Sequence, residues 1–81
     1  MISAYTLVRT APEKNLQVFK EVQKLPMIKE STLVYGEYDI IIKTKTKSIK
    51  ELNKFTYSVL RRIPHVVMTT TMIVANIPNK G

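Results

Sequence analysis

Five consecutive residues between apolar stretches, Tyr35-Gly36-Glu37-Tyr38-Asp39, carry the clearest chemistry in this chain. Glycine reaches backbone conformations that other residues avoid, so a turn built on it can leave amides facing outward as donors. The aspartate just beyond is an acceptor-only group suited to a positively charged partner. Together they suit capture of a small molecule bearing a cationic group near exposed amides. Tyr35-Gly36-Glu37-Tyr38 fits a two-residue hairpin of type II′, which takes glycine at its first central position. In the plainer reading, Gly36 only makes the turn and Asp39 is a solvated residue at a strand start. Against that, aspartate is a poor strand former, yet it precedes Ile40-Ile41-Ile42. A carboxylate there needs a partner or contact with water.

Little else in the chain suggests catalysis. His65, the one histidine, follows a proline in a predicted turn, with no cysteine and no clustered carboxylates to join it. Metal sites need several converging His, Cys, Asp or Glu ligands, and no such spacing occurs; no cofactor is implied either. With Gly36 and Gly81 as the only glycines, no phosphate-cradling loop can form, and no nucleophile–base pair is evident. The reading is therefore of a non-enzyme, although small dimeric enzymes occur on the fold inferred below.

A second candidate surface is basic. The net charge of +7 is confined to the second half of the chain. Residues 1–40 balance five basic side chains with five acidic ones, whereas residues 41–81 hold eight basic ones against Glu51 alone. On a helix over 48–62, Lys50, Lys54, Tyr57 and Arg61 share about 60° of arc opposite the apolar side. Lys43, Lys45 and Lys47 alternate on the preceding strand and share a sheet face. Such a patch fits a solvated helix face, phosphate contacts, or an acidic protein partner. No aromatic RNA-binding motif or glycine-rich clamp accompanies it. Thr69-Thr70-Thr71 would serve in any edge strand as a β-branched run, and Tyr5, Tyr35 and Tyr38 read as interface or core aromatics.

The elements that hold these residues come from an internal repeat. Shifting the sequence by 38 residues places Thr10-Ala11-Pro12-Glu13 on Ser48-Ile49-Lys50-Glu51, two helix-starting capping boxes. The same shift places Leu25-Pro26-Met27-Ile28 on Ile63-Pro64-His65-Val66, where proline ends each helix before a strand. Strands are expected at 2–9, 28–35, 38–46 and 66–76, and helices at about 12–24 and 48–62. Leu52, Phe55, Val59 and Ile63 form the apolar side of the second helix, flanked by Ile49 and Leu60; Val18, Phe19, Val22 and Leu25 form that of the first, with Leu16 off it. Two strand–helix–strand copies make the split βαβ, or ferredoxin-like, arrangement.

Eighty-one residues make a single domain, 1–81, that buries only about 60–65% of its extended surface and has no cysteine to reinforce it. The strands are apolar in runs, as in Val66-Val67-Met68 and Met72-Ile73-Val74. Such runs imply cover on both sheet faces, and two helices cover one. An obligate dimer, sheet against sheet, is the expectation. No apolar run approaches the roughly 18–20 residues needed to span a bilayer, and the first residues lack a signal-peptide pattern. The protein is expected to be cytoplasmic.

The segment Leu33 to Lys43, with its Gly36-Glu37-Tyr38-Asp39 core, resembles the G-x-[YF]-D hairpin in the effector-binding domain of the Lrp/AsnC regulators (the RAM domain). Ile63-Pro64-x-Val66 followed by Thr69-x-Thr71 resembles that domain's last turn and strand, and the likeness runs along nearly the whole chain. The resemblance implies an αβ-sandwich, a βαββαβ fold with two helices on one face of a four-stranded antiparallel sheet, dimerising through the other face. It also implies assembly of dimers, often into octamers, and binding of an amino acid or related metabolite between dimers. In that setting Gly36 and Tyr38 offer backbone amides to a carboxylate, Asp39 accepts from an ammonium group, Thr69 and Thr71 supply hydroxyls, and Glu37 points to solvent. The implied role is transcriptional regulation through association with full-length Lrp/AsnC regulators. Two departures stand out. His65 occupies a turn position where the family usually has glycine, and the helix-turn-helix domain of full-length members is missing from this sequence. That makes direct DNA binding unexpected and points to a stand-alone module.

Overall fold

In the computed structural model, which describes residues 1–75, both halves fold as strand–helix–strand. The elements are β1 (Ile2–Thr10), α1 (Asn15–Gln23), β2 (Ile28–Leu33), β3 (Ile40–Thr46), α2 (Ile49–Ser58), a 3-10 turn (Leu60–Arg62) and β4 (Val66–Ile73). The sheet order is β2-β3-β1-β4, with every neighbouring pair antiparallel. This is the ferredoxin-like α+β fold expected. Residue 76, the end of the last expected strand, lies outside the described residues.

One sheet face carries the core. Val8 of β1 and Ile40 and Ile42 of β3 are fully buried against Val18 and Val22 of α1 and Phe55 and Leu60 of the second helical segment. Burying an aliphatic side chain of this size stabilises by about 1.5–3 kcal/mol, so these seven residues fix how the layers pack. The face continues toward the start of β1 as a threonine-rich zone, with Thr6, Thr44 and Thr46 all about 1% exposed. Thr6 Oγ1 lies 3.2 Å from Thr71 Oγ1, and Thr46 Oγ1 donates to the Ser48 carbonyl. Thr44 Oγ1 is buried without a hydrogen-bond partner among the described residues.

The two helices start by different means. Ser48 Oγ accepts from the Glu51 amide at 3.1 Å, as the second capping box requires. The first box does not form. Thr10 ends β1, Glu13 takes a positive φ of 67°, and α1 begins at Asn15 with no side-chain cap. The Lys14 amide instead closes a turn onto the Ala11 carbonyl.

The end of α2 also departs from the sequence pattern. Helical phase places Val59 inside, but the α-helix stops at Ser58 and Val59 is 39% exposed. The 3-10 turn that follows winds at about 3.0 residues per turn instead of 3.6, and the change of phase puts Leu60 in the core. His65 has φ 74°, the left-handed conformation that L side chains disfavour. Its carbonyl accepts from the Ala11 amide at 2.9 Å, tying the last turn to the β1–α1 connection.

Among the described residues nothing covers the other sheet face. Tyr5, Leu7 and Arg9 of β1, Ile41 and Lys43 of β3, and Met68, Thr70 and Met72 of β4 share it through the strand registers. Tyr5, Met68 and Met72 are 37%, 44% and 49% exposed. The long apolar runs are thus half inside and half on this open face.

Replacing Thr44 by valine removes a buried hydroxyl that has no partner while keeping its shape. Thr44→Val is expected to raise unfolding stability by about 1 kcal/mol in urea denaturation; a loss of stability would show that the hydroxyl is satisfied.

Candidate functional site at the β2–β3 loop

Asp39 organises the loop that joins β2 to β3. Its Oδ2 accepts from the Thr10 amide at 2.7 Å and from the Thr10 hydroxyl at 3.1 Å, while its own amide donates to the Val8 carbonyl at 2.9 Å. A charged acceptor on a backbone donor makes a short and strong hydrogen bond. The Thr10 amide lies where the β1–β4 register shifts, opposite the extra residue Val67. The irregular ladder there thus coincides with a donor given to the carboxylate.

This attachment to β1 is why the expected two-residue hairpin does not form. Pairing of β2 with β3 ends at Leu33 and Ile40, so the connection is the six-residue loop Val34–Asp39, closed by the Val34 amide donating to the Asp39 carbonyl at 2.9 Å. Asp39 divides its backbone between two strands, its amide on Val8 of β1 and its carbonyl on Val34, and the regular β2–β3 ladder stops at Ile40. Gly36 sits at the tip with φ 130°, and a side chain there would meet nothing within 4 Å. Its constraint is backbone conformation, and its surroundings are open.

Arg9 secures the outer side of the loop. Its Nε donates to the Glu37 carbonyl at 3.0 Å, and its Nη2 lies 3.4 Å from Glu37 Oε1. Glu37 is largely exposed and Arg9 partly so, and the ion pair itself contributes little. The guanidinium carbon lies 5.3 Å from the centre of the Tyr38 ring, a cation–π distance. The Tyr38 hydroxyl then reaches Thr70 Oγ1 on β4 at 3.1 Å. On the α1 side of the loop, Asn15, Leu16, Leu33, Val34 and Tyr35 line a cavity of about 200 Å³.

Gly36, Tyr38 and Asp39 all lie in this one loop. Thr69 and Thr71 are not beside them within this chain. They pair with Val8 and Thr6, on the helix-covered face, and Thr71 bonds Thr6. It is Thr70, on the open face, that meets Tyr38. The sequence reading missed Arg9, Thr10 and Thr70. Thr10 was assigned to a helix cap, and contacts spanning about thirty residues leave no local trace. Lys50 and Lys54 lie exposed on α2, and Arg61, in the 3-10 turn, has its guanidinium carbon 5.3 Å from the centre of the Tyr57 ring. Among the described residues, no three potential metal ligands come together and no helix is long and apolar enough to cross a membrane.

Comparison with known proteins decides the family. The sequence model of the Lrp/AsnC ligand binding domain matches residues 3–81. The chain belongs to that family. This Lrp/AsnC domain is similar to the HTH-type transcriptional regulator FL11 of Pyrococcus horikoshii, at 38% identity over 71 residues, covering 88% of this chain and 46% of that protein. It is likewise similar to the leucine-responsive regulatory protein of Klebsiella pneumoniae, at 38% identity over 69 residues, covering 85% of this chain and 42% of the relative. The chain thus spans about half the length of these relatives or slightly less. Among solved structures, FFRP-DM1 is 39% identical with a TM-score of 0.87, covering 93% of this chain and 100% of that one. The protein is homologous to the ligand-binding part of transcriptional regulators, which is consistent with a regulatory role.

Loss of the carboxylate leaves the Thr10 amide without its partner. Asp39→Ala is expected to cost about 2 kcal/mol in chemical denaturation, and Thr10→Val, which keeps the amide bond to Asp39, about half as much. Equal stability of Asp39→Ala and the parent would show that the link does not hold the loop.

Proposed function

We propose that this Lrp/AsnC domain is a ligand-binding and assembly module that senses a free amino acid or related small metabolite beside the β2–β3 loop. The observation that carries the reading is the loop's attachment at two points, by Asp39 to Thr10 and by Arg9 to Glu37, with open space around Gly36. A site whose backbone is held before binding loses less freedom when ligand arrives. Gly36 and Tyr38 supply amides for the ligand's carboxylate. Asp39 supplies an acceptor for its ammonium group through Oδ1, the oxygen that Thr10 does not use. Thr69 and Thr71 enter such a site from a neighbouring subunit. Kinship to a leucine-responsive regulatory protein supports an amino-acid-like effector.

The module assembles as a homodimer through its open sheet face and further into higher oligomers such as octamers. Tyr5 and Met72 are register partners on that face, both substantially exposed, and a second copy would remove them from water. Its output is transcriptional regulation in the cytoplasm, by associating with or modulating full-length Lrp/AsnC regulators, and it performs no catalysis of its own.

A thermal-shift screen of free amino acids tests the effector. Ligand at a hundred times its dissociation constant stabilises by about 2.7 kcal/mol, a rise of about 11–22 °C for a domain of this size. Asp39→Asn keeps an acceptor for Thr10 but loses the charge, so the shift should disappear in that variant. No shift with any amino acid, or a shift that Asp39→Asn leaves intact, sinks the reading. Sedimentation velocity tests the assembly: Met72→Lys should lower the oligomeric state of a chain that remains folded by circular dichroism. An unchanged sedimentation coefficient would place the interface elsewhere.

A further inference from the structure

Beside the basic stripe of α2 lies an apolar groove that the effector site does not use. Met27, Glu51, Lys54, Phe55, Ser58 and Val59 line a space of about 250 Å³ whose exposed wall is almost wholly carbon. At about 100° per residue, Lys50, Lys54 and Tyr57 occupy one arc of the helix, and Glu51, Phe55, Ser58 and Val59 continue round from it. Lys54 belongs to both surfaces. Val59 is available only because the 3-10 turn carries Leu60 inward and leaves Val59 at the rim.

We propose that this groove and its basic border dock an acidic amphipathic helix from a protein partner. Apolar side chains spaced i, i+3 or i+4 on such a helix would enter the groove beside Met27, Phe55 and Val59, the usual helix-in-groove arrangement. Its flanking carboxylates would face Lys50, Lys54 and Arg61, and this complementarity would steer encounter and fix orientation. Glu51 is the only acid in residues 41–81 against eight basic residues, so the surrounding field favours an acidic partner. Nucleic acid fits less well. The groove's exposed wall is almost wholly carbon, which phosphates would leave unused, and Arg61 stands over the Tyr57 ring, leaving less of that ring for base stacking.

The test is fluorescence anisotropy with the intact chain and a labelled designed peptide of about 16 residues, long enough for a stable helical face. The peptide carries leucines along one side and glutamates flanking them; a second peptide has the same composition scrambled to destroy the apolar side, and duplex DNA is a third probe. The helical peptide is expected to bind in the tens of micromolar range, at least about fivefold more tightly than the scrambled one. Lys50→Glu with Lys54→Glu should weaken it about tenfold or more, and Val59→Gln, a separate and mild change at the rim, several-fold. The proposal fails if the helical peptide does not bind, if both peptides bind alike, or if neither variant matters. It fails equally if duplex DNA binds more tightly than the peptide. If the charge reversal instead dissociates the free chain in sedimentation, the groove holds a second copy and the proposal is overturned. None of these outcomes depends on whether an amino acid binds near Asp39.

Discussion

A half-buried carboxylate has to find donors, and in this domain Asp39 finds them on a strand that is distant in sequence. Its bonds to the amide and hydroxyl of Thr10 join the β2–β3 loop to the end of β1, one of the two central strands. Much of the local geometry follows from that contact. The β1–β4 ladder shifts register where the Thr10 amide is engaged, β3 begins at Ile40, and the connection widens from a tight turn to six residues. Thr10 is then unavailable to cap α1, which starts five residues later behind a turn with a left-handed glutamate. Arg9, next along the strand, points to the opposite face and holds the loop from outside through Glu37 and Tyr38.

The second constraint is coverage. Two helices shield one face of four strands, so Val8, Ile40 and Ile42 vanish into the core while their neighbours Leu7 and Ile41 stay partly exposed. Removal of apolar area from water is the dominant favourable term in folding and association alike. Tyr5, Met68 and Met72 leave such area exposed on the uncovered sheet face, and the proposed second copy would remove it from water. The proposed assembly and ligand response would share one scaffold, because Tyr38 lies across the end of that same face, bonded to Thr70.

The internal repeat predicted the order of elements well, and its failures are informative. Ser48 caps α2 because nothing competes for its hydroxyl; Thr10 occupies the corresponding position and is drawn to Asp39 instead. Pro26 and Pro64 both end helical segments before a strand, yet only the second turn forces a non-glycine residue, His65, into positive φ. Val59 was placed in the core by helical phase and sits at the surface, since a change from α to 3-10 winding alters which residue faces inward.

What the sequence determined by itself was whatever depends on near neighbours: helical and strand periodicity, one cap, proline stops, the glycine at position 36, and the motif spacing that marked the Lrp/AsnC likeness. It also brought Gly36, Tyr38 and Asp39 together, because they are adjacent in the chain. Tertiary structure alone decided which partner each polar group took. Thr10 holds Asp39 Oδ2, Thr70 rather than Thr69 or Thr71 meets Tyr38, and Arg9 reaches Glu37 across 28 positions. The physical reason is that propensity and amphipathic pattern act over a few residues, whereas hydrogen-bond partners depend on strand register. One residue of register turns a side chain to the other face of the sheet, and register is set only when the whole sheet assembles.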